Sequence, residues 1–502
     1  MEFAFLDHLG LGFATAFTIG NLGYCLVGAL LGTLIGILPG VGPAATIAML
    51  LPVTFTLSPV SALIMLSGIY YGAQYGGSTT AVLLNLPGES ASAVTTIDGY
   101  QMARRGRAGP ALAIAALGSF AAGCFATLLI ALFAPPLTRV ALMFGPAEYF
   151  SLIVLGLIAS VVLARGSLVK ALAMIAAGVL FGMVGTDIYT GAARFTFGTT
   201  EMREGISFVA VAIGIFGISE ILRNLENERD RDVSVQPIGS LMPSREDLRR
   251  SAGPVARGTV IGSLLGILPG GGALLSSFAA YALEKKISPR SSEFGHGAIE
   301  GVAAPESANN AGSQTAFIPM LTLGIPGNSV MALMMATLIM QGIVPGPAVM
   351  GNYPELFWGV IASMWIGNLM LVVLNLPLVG LWVRLLKVPY FVLFPCIMAF
   401  SAIGVYSMAL STFDVIYISV FGLIGYTLVK LDCEPAPFVL GFILGPMLEE
   451  NLRRAMLVSR GDFSVFLTEP LSAALLFLAA LAILIVSLPT INRKRDEVFV
   501  ED

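Results

Sequence analysis

Long apolar stretches alternate with short polar loops along almost the whole chain. They lie near 13–38, 60–86, 111–133, 150–163, 168–184 and 206–222, and then near 255–268, 308–325, 329–343, 357–381, 391–409, 415–429, 438–447 and 471–488. A helix needs roughly 20 apolar residues to span a bilayer, and several of these stretches are shorter or are interrupted by glycine and proline. The pattern therefore predicts an all-α polytopic membrane protein with about 10 to 14 membrane segments, some of them broken or re-entrant.

Composition agrees with this pattern. The chain has 502 residues, of which 56% are hydrophobic and 12% are charged, whereas a soluble domain carries roughly 25% charged residues. The net charge of −4 is spread over short loops without a large basic patch, which argues against a nucleic-acid partner. The four cysteines show no CxxC spacing, so the sequence indicates neither a metal site nor a disulfide framework.

A phrase of five residues occurs twice. Gly-Ile-Leu-Pro-Gly stands at 36–40 and again at 266–270, and a related phrase that ends in Pro-Gly follows each copy, at 84–88 and at 323–327. Two Gly/Pro-broken apolar segments in matching positions of two halves point to the binding site of a transporter. We predict an N-terminal transmembrane repeat at 1–222, a polar cytoplasmic linker at 223–253 and a C-terminal transmembrane repeat at 254–502.

The distribution of Lys and Arg predicts how the repeats are oriented. Arg104, Arg105 and Arg107 mark one cytoplasmic loop, the charged linker marks another, and the N-terminus carries no Lys or Arg. On this count the first repeat begins outside the membrane and the second begins at the cytoplasmic linker. The two repeats are therefore predicted to have inverted topology, as in many secondary transporters.

The first chemistry-bearing feature is the break after each copy of the repeated phrase. Proline removes a backbone donor and glycine permits close approach of backbone or ligand, so a helix should end there. The helices that follow, from Ala44 and from Ala273, would direct their N-termini at this point, which suits a carboxylate. The candidate substrate-binding residues are Gly40, Gly42, Gly270 and Gly272. The alternative is that these residues only kink helices for close packing.

A second feature is the dense set of small polar residues between Tyr70 and Thr80, continuing to Gly88. Backbone N–H groups suit carboxylates, and hydroxyl and carbonyl oxygens suit a hard cation such as Na⁺. We predict substrate contacts from Ser78, Thr79, Asn85 and Gly88, and a Na⁺ ligand in Thr80. The alternative is packing of small residues between helices.

The third feature places carboxylates and amides beside an apolar segment, between Gly295 and Ala311 and on to Asn328. Ionisable groups inside a membrane are expensive and usually functional. The predicted substrate-binding residues are Asn309, Asn310, Gly327 and Asn328, and the predicted Na⁺ ligands are Glu306 and Thr322. Glu306 could instead carry a proton or cap a half-helix.

At these residues the chain resembles the large membrane subunit of the tripartite tricarboxylate transporters, the TctA family. The resemblance covers nearly the whole length and rests on 36–43, 70–88, 295–310, 321–327, 342–347 and 440–446. It implies a permease of the bacterial inner membrane that works with a small membrane subunit and with a periplasmic solute-binding protein that delivers a carboxylate. It also implies transport driven by an ion gradient, which agrees with the absence of a Gly-x4-Gly-Lys-Ser/Thr phosphate loop.

These observations predict a secondary-active, cation-coupled importer of a di- or tricarboxylate or a related organic acid. The coupling ion could be Na⁺ or H⁺, no other cofactor is expected, and the partners are the two further subunits, the substrate and membrane lipid. A homodimer is left open, with 357–381 as a candidate scaffold or dimer-interface helix. The alternative function is a passive organic-anion channel. We predict no enzymatic activity, because the chain has neither an HExxH nor a Gly-x-Ser-x-Gly motif.

Overall fold

The computed structural model describes residues 2–38, 42–163, 167–187, 189–226, 238–268, 272–385 and 390–487. In the first half, the helices are α1 (Glu2–Ala16), α2 (Ile19–Ile37), α3 (Pro43–Thr54), α4 (Pro59–Leu84), α5 (Ala93–Arg104), α6 (Ala108–Ala141), α7 (Pro146–Leu163), α8 (Leu168–Gly182), α9 (Phe208–Ala212) and α10 (Ser219–Glu226). A π-helical segment, Ile213–Ile218, joins α9 to α10, and the short strands β1 (Gly185–Thr186) and β2 (Ala193–Arg194) form an antiparallel hairpin.

The second half is also helical. Its helices are α11 (Arg245–Leu265), α12 (Gly272–Ile287), α13 (Glu300–Thr315), α14 (Phe317–Leu323), α15 (Ser329–Met340), α16 (Ala348–Asn352), α17 (Pro354–Asn375), α18 (Val379–Leu385), α19 (Tyr390–Ala409), α20 (Thr412–Lys430), α21 (Pro435–Val458), α22 (Val465–Thr468) and α23 (Pro470–Ser487). Single 3₁₀ turns lie at Ser90–Ser92, Glu201–Glu204 and Ser291–Glu293.

The predicted fold class, an all-α polytopic membrane protein, is confirmed. Among the described residues, α2, α6, α17 and α20 are each long and apolar enough to cross a membrane, and shorter apolar helices such as α3 and α15 lie between them. Every predicted stretch falls on helical residues, but stretches such as 13–38, 308–325 and 357–381 are divided between two helices, and some helices run further than the apolar pattern. The helix α21 continues past the predicted end at 447, because Glu449 pairs with Arg453 and Glu450 with Arg454 one turn later.

The predicted linker at 223–253 is helical at both ends. Arg223 belongs to α10, and α11 begins at Arg245, ten residues before the predicted span. A capping box starts this helix: the Ser244 hydroxyl accepts a hydrogen bond from the Asp247 N–H, and the Asp247 carboxylate accepts one from the Ser244 N–H. Hydrophobicity missed the first turns of α11 because they are charged and depend on capping.

The glycines before each break serve close helix packing. A methyl group added at Gly32 on α2 would lie 2.3 Å from the carbonyl oxygen of Ile69 on α4, which is a clash. The same contact recurs along the two helices, in the pairs Gly28 with Met65, Gly32 with Ile69 and Gly36 with Ala73. Only glycine lets these two backbones approach so closely.

The second half repeats this arrangement. A methyl group at Gly262 on α11 would lie 2.3 Å from the carbonyl oxygen of Ala308 on α13, and Gly258 and Gly266 meet Ala304 and Gly312 in the same way. The order of a glycine-lined helix, a break, a short helix and a buried partner helix is thus shared by α2–α4 and α11–α13. The two halves that share sequence phrases therefore also share one packing arrangement. The inverted topology of the two units stays a prediction.

The second repeated phrase ends a helix in both halves. Asn85 follows α4 with φ of 57°, and Gly324 follows α14 with φ of 69°. This left-handed conformation terminates a helix, and glycine or asparagine adopts it more easily than other residues. Asn85 is exposed at this position, so the structure gives it a role in ending α4.

The centre of the protein is polar as well as apolar. Every residue of α13 is buried, including Glu306, Asn309 and Asn310. The helix α6 packs against both α4 and α13. The predicted scaffold helix, α17, packs against α1, α2, α4 and α6 and has most of its residues buried inside this chain. A dimer interface there stays untested.

The hairpin after α8 is fixed to α21 by ion pairs. Asp187 lies 2.8 Å from Arg194 of β2 and 2.8 Å from Arg453 of α21. Desolvation raises the pKa of Asp187, but hydrogen bonds from the N–H groups of Tyr189 and Thr190 and from Arg453 outweigh it and lower the pKa to about 2. Asp187 is therefore a permanent anion that anchors this loop.

The backbone conformation at Asn85 can be tested by substitution. Asn85→Gly keeps the left-handed cap and should leave the thermal unfolding temperature in detergent near that of the unchanged protein. Asn85→Ala should lower it, since a side chain without a hydrogen-bonding group costs roughly 1–2 kcal/mol in this conformation. Equal unfolding temperatures for the two variants would show that the cap does not matter.

Candidate functional site

A cavity of about 520 Å³, which we call the large cavity, lies where the α2–α4 unit meets the α11–α13 unit. The start of α3 reaches it with Gly42, Pro43 and Ala44, and the start of α12 reaches it with Gly272, Ala273 and Leu274. The start of α15, Asn328 to Val330, and the 3₁₀ turn at Glu89 to Ala91 complete the wall. The first turns of a helix leave N–H groups unpaired and carry partial positive charge. The cavity is thus surrounded by helix starts, which suits an anion.

Charged side chains also reach the cavity. Arg223 at the end of α10 lines it together with Glu220, and the two pair at 2.9 Å. Arg223 is half-exposed and is the basic residue in the wall of this cavity. Sequence reasoning assigned Arg223 to the solvated linker, and only the position of α10 brings it here. In the sequence, Arg223 stands directly after an apolar run and three residues after its acidic partner Glu220, and this position could have indicated its role.

Glu89 brings a carboxylate into the same wall. Its Oε1 accepts a hydrogen bond of 3.0 Å from Asn309 Nδ2 on α13. The other amide atom, Asn309 Oδ1, is buried and has no hydrogen-bond partner among the described residues. Asn309 therefore connects the polar helix α13 to the cavity wall. Glu89, directly after Gly88 in the sequence, carried no prediction.

Asn328 shapes the third helix start. Its Oδ1 accepts a hydrogen bond of 2.9 Å from the Met331 N–H and caps α15, while its Nδ2 donates to Tyr70 Oη at 3.1 Å. Tyr70 lies on α4 and also lines the cavity. The predicted residue Asn328 thus joins α4 to α15 at the cavity wall. Tyr70 is a wall residue that carried no specific prediction.

Glu306 lies on α13 and does not line this cavity. It is fully buried, and its two carboxylate oxygens accept hydrogen bonds from Ser78 Oγ at 2.6 Å and from Thr95 Oγ1 at 2.5 Å. It stands in the second turn of α13, after the first N–H groups, so it does not cap that helix. Within the described parts of the chain, no basic side chain forms an ion pair with Glu306 or Glu89.

Asn310 and Ser78 both bond to Glu306. Asn310 Nδ2 donates to Ser119 Oγ on α6 at 2.7 Å and to the Glu306 carbonyl at 3.1 Å. Ser78 and Thr79 line a second, much smaller cavity of about 10 Å³ between α4, α6 and α17. The neighbouring asparagines of α13 therefore point to different places, Asn309 towards the large cavity and Asn310 towards α6.

Other predicted residues serve the backbone. Thr80 Oγ1 lies 3.2 Å from the carbonyl oxygens of Gly36 and Gly76, and Thr322 Oγ1 donates to the Ile318 carbonyl at 2.7 Å. Both hydroxyls therefore already have backbone partners, and the role of Thr80, Thr322 and Glu306 as Na⁺ ligands stays a prediction. The described residues contain no group of three or more His, Cys, Asp and Glu side chains placed to hold a metal.

The predicted glycines also differ in their surroundings, since some line the large cavity and others pack against backbone. Gly42 faces open space and lines the large cavity, whereas a methyl group at Gly88 would lie 2.0 Å from the Gly36 carbonyl oxygen. Gly272 both lines the cavity and packs tightly on Gly266. Gly327 is buried and does not reach the cavity, and Asn85 lies apart from it. Gly40 and Gly270 lie outside the described residues.

Comparisons with known proteins place this arrangement in a family. The model of the tripartite tricarboxylate transporter TctA family matches residues 22–440. A protein of Agrobacterium vitis, described as an uncharacterized 52.8 kDa protein in the TAR-I ttuC′ 3′ region, is 63% identical over 497 residues, covering 99% of each chain. A second protein of that organism, from the TAR-II ttuC′ 3′ region, is 61% identical over 241 residues, 48% of this chain and 100% of the relative. No solved structure matches the chain.

The large cavity should be open to water. Cysteine in place of Ser329, which lines it, should react with a small water-soluble thiol reagent in membranes made permeable to that reagent. Cysteine in place of Ser276, a fully buried residue of α12, should stay unreacted, in a background without the native cysteines. Equal labelling at both positions would mean that the helix starts do not enclose a water-filled cavity.

Proposed function

The chain belongs to the tripartite tricarboxylate transporter TctA family, and from this premise we propose that it is the large permease subunit of a cation-coupled, binding-protein-dependent importer. The cargo is a di- or tricarboxylate or a related organic acid, and the membrane is the bacterial inner membrane. The partners are a small membrane subunit and a periplasmic solute-binding protein. Family membership supports such partners in general terms.

The observation that carries this proposal is the convergence of helix starts on one cavity. The first turns of α3, α12 and α15 all face it, and Arg223, which pairs with Glu220, adds guanidinium N–H donors. Backbone N–H groups and a guanidinium are donors only, and both recognise carboxylate oxygens. Inside a membrane, such unpaired backbone groups are tolerated where they line a water-filled or ligand-filled cavity.

The size of the cavity agrees with a small organic acid. Its volume of about 520 Å³ falls within the range of roughly 300–1,000 Å³ that is usual for small-molecule sites. The cavity draws on both units, the first through Gly42 and Glu89 and the second through Gly272 and Asn328. A site shared by two repeats is the arrangement expected when one repeat moves against the other around a fixed substrate.

The acidic residues support coupling to a cation. Glu89 stands in the wall of a site proposed for an anion, and Glu306 is buried behind it. An incoming carboxylate would be repelled by these charges at low effective dielectric constant. A cation or a proton that binds with the substrate removes this repulsion. The import of an organic anion would then require that ion, which is the defining property of a symporter.

The function can be tested with labelled carboxylates. Proteoliposomes would hold this subunit with its small partner, the solute-binding protein would be outside, and a Na⁺ or H⁺ gradient would be imposed. We expect accumulation that requires the binding protein and that collapses when one of the two gradients is removed. Flux that needs neither the binding protein nor a gradient would favour a passive channel.

Arg223 in the wall and Asn309, which holds the wall residue Glu89, provide a sharper test in the same assay. Arg223→Gln should raise the half-saturating concentration of the carboxylate–binding protein complex by roughly 10- to 100-fold, because a charged hydrogen bond contributes about 1.5–3 kcal/mol. Asn309→Ala should reduce uptake to background, because it leaves Glu89 without its amide donor.

Matched controls exist elsewhere in the chain. Arg454 forms a similar intrahelical ion pair with Glu450 on α21, and Asn451 of the same helix donates only to the Met447 carbonyl. Neither lines the large cavity, so Arg454→Gln and Asn451→Ala should transport normally. If these controls lost as much activity as the wall variants, the cavity would not be the substrate site.

A further inference from the structure

A second polar cavity lies behind the proposed substrate site. It has a volume of about 10 Å³ and is enclosed where α4, α6 and α17 meet. Its polar lining consists of Tyr75, Ser78, Thr79, Ser119 and Asn375. A space of this size holds one particle about as large as a water molecule.

Two atoms in this lining lack partners. Asn375 Nδ2 donates to Thr33 Oγ1 at 3.2 Å and to the Leu371 carbonyl at 3.0 Å, which fixes the amide and leaves Oδ1 without a hydrogen bond among the described residues. Tyr75 Oη is likewise without a partner there. Both side chains are more than nine-tenths buried. An unsatisfied acceptor in such a place is costly unless something binds it.

The nearest formal charge is the carboxylate of Glu306, which Ser78 connects to this cavity. Ser78 Oγ lies 2.6 Å from Glu306 Oε2 and can donate its single proton there, which leaves its lone pairs as acceptors. Ser119 Oγ accepts from Asn310 on its other side. The lining therefore offers oxygen atoms to a bound particle, while the single negative charge beside it has no basic partner.

We propose that this cavity is the binding site of one Na⁺ ion, held by the oxygens of Ser78, Ser119 and Asn375 and balanced by Glu306. A hard cation prefers oxygen ligands, and a single positive charge neutralises a single carboxylate. A water molecule would also satisfy the unpaired atoms, but Glu306 would then need a proton to lose its charge. Na⁺ is smaller than a water molecule, so it fits this space without displacing the lining. The proposal rests on the cation-coupled function above and gives it a coupling ion and a site.

The position of the site gives the ion a mechanical role. Asn375 belongs to α17, whereas Ser78 and Ser119 belong to α4 and α6. The ion therefore joins α17 to α6 and to α4, which also reaches the wall of the large cavity through Tyr70 and Gln74. Binding of Na⁺ would fix α4 in place before the carboxylate arrives.

The test is the thermal stability of the purified subunit in detergent, followed by tryptophan fluorescence at constant ionic strength and pH. Sodium chloride should raise the unfolding temperature in proportion to the logarithm of its concentration, relative to choline chloride and potassium chloride, because a ligand of the folded state stabilises it. Asn375→Ala removes one oxygen ligand and should raise the half-saturating Na⁺ concentration roughly tenfold, or about 1.4 kcal/mol.

Asn368→Ala is the matched control. Asn368 lies two turns earlier on α17, is fully buried, donates to the Met364 carbonyl and also has an unpartnered Oδ1, but it faces Gly123 rather than this cavity. It should keep the Na⁺ response of the unchanged protein. Glu306→Gln keeps the shape, and its amide can accept from one of the hydroxyls of Ser78 and Thr95 and donate to the other, so it should fold and lose the response.

Three outcomes would overturn the site. These are equal stabilisation by Na⁺, K⁺ and choline, an unchanged half-saturating Na⁺ concentration in Asn375→Ala, and stability that follows pH but not Na⁺, which would make Glu306 a proton carrier. The assay needs no substrate and no partner subunit. A failure here therefore rejects the ion site and leaves carboxylate import standing, while absent uptake with an intact Na⁺ response rejects import alone.

Discussion

A helix that ends inside a membrane protein leaves backbone N–H groups that must find partners, and this constraint organises the whole centre of the molecule. The helices α3 and α12 each start a few residues after a preceding helix has ended, and both starts face the same cavity. Lipid offers no hydrogen bonds, so such ends are stable only against protein, water or a ligand. The demand of the backbone for an acceptor is the same property that makes the cavity attractive to a carboxylate.

Close packing holds those two helix starts in position. The glycines of α2 let its backbone touch α4, and those of α11 let its backbone touch α13. Because hydrophobic burial drives little helix association in lipid, such contacts between small residues are a main source of stability. The last glycine of each series, Gly36 or Gly266, stands where the helix ends. The geometry of the breaks is therefore fixed by the same contacts that hold the two long helices together.

Buried carboxylates give the large cavity and the polar residues behind it different roles. The lining of the large cavity, with its helix starts and Arg223, attracts an anion. Glu89 in that lining and Glu306 behind it repel one. Carboxylates buried without a basic partner are costly to keep charged. Their presence is most simply explained by a cycle in which a cation and an organic anion bind together. Asn309 and Asn310 are neighbours on α13. Asn309 bonds to Glu89 in the wall of the large cavity, and Asn310 bonds to Ser119 on α6.

The sequence by itself determined the fold class, the positions of the long apolar helices, the duplication and the two breaks, because apolar length, proline and glycine act locally. It also singled out Asn309, Asn328 and Glu306, since amides and carboxylates are rare in apolar surroundings. It could not separate packing from binding: Thr80, Thr322 and Asn85 have suitable chemistry, yet their groups serve the backbone or end a helix. The contribution of Arg223, the hydrogen bond between Glu89 and Asn309, and the meeting of Asn375 with Ser78 were decided only by the tertiary structure. These groups lie far apart along the chain, and their proximity depends on how the helices pack.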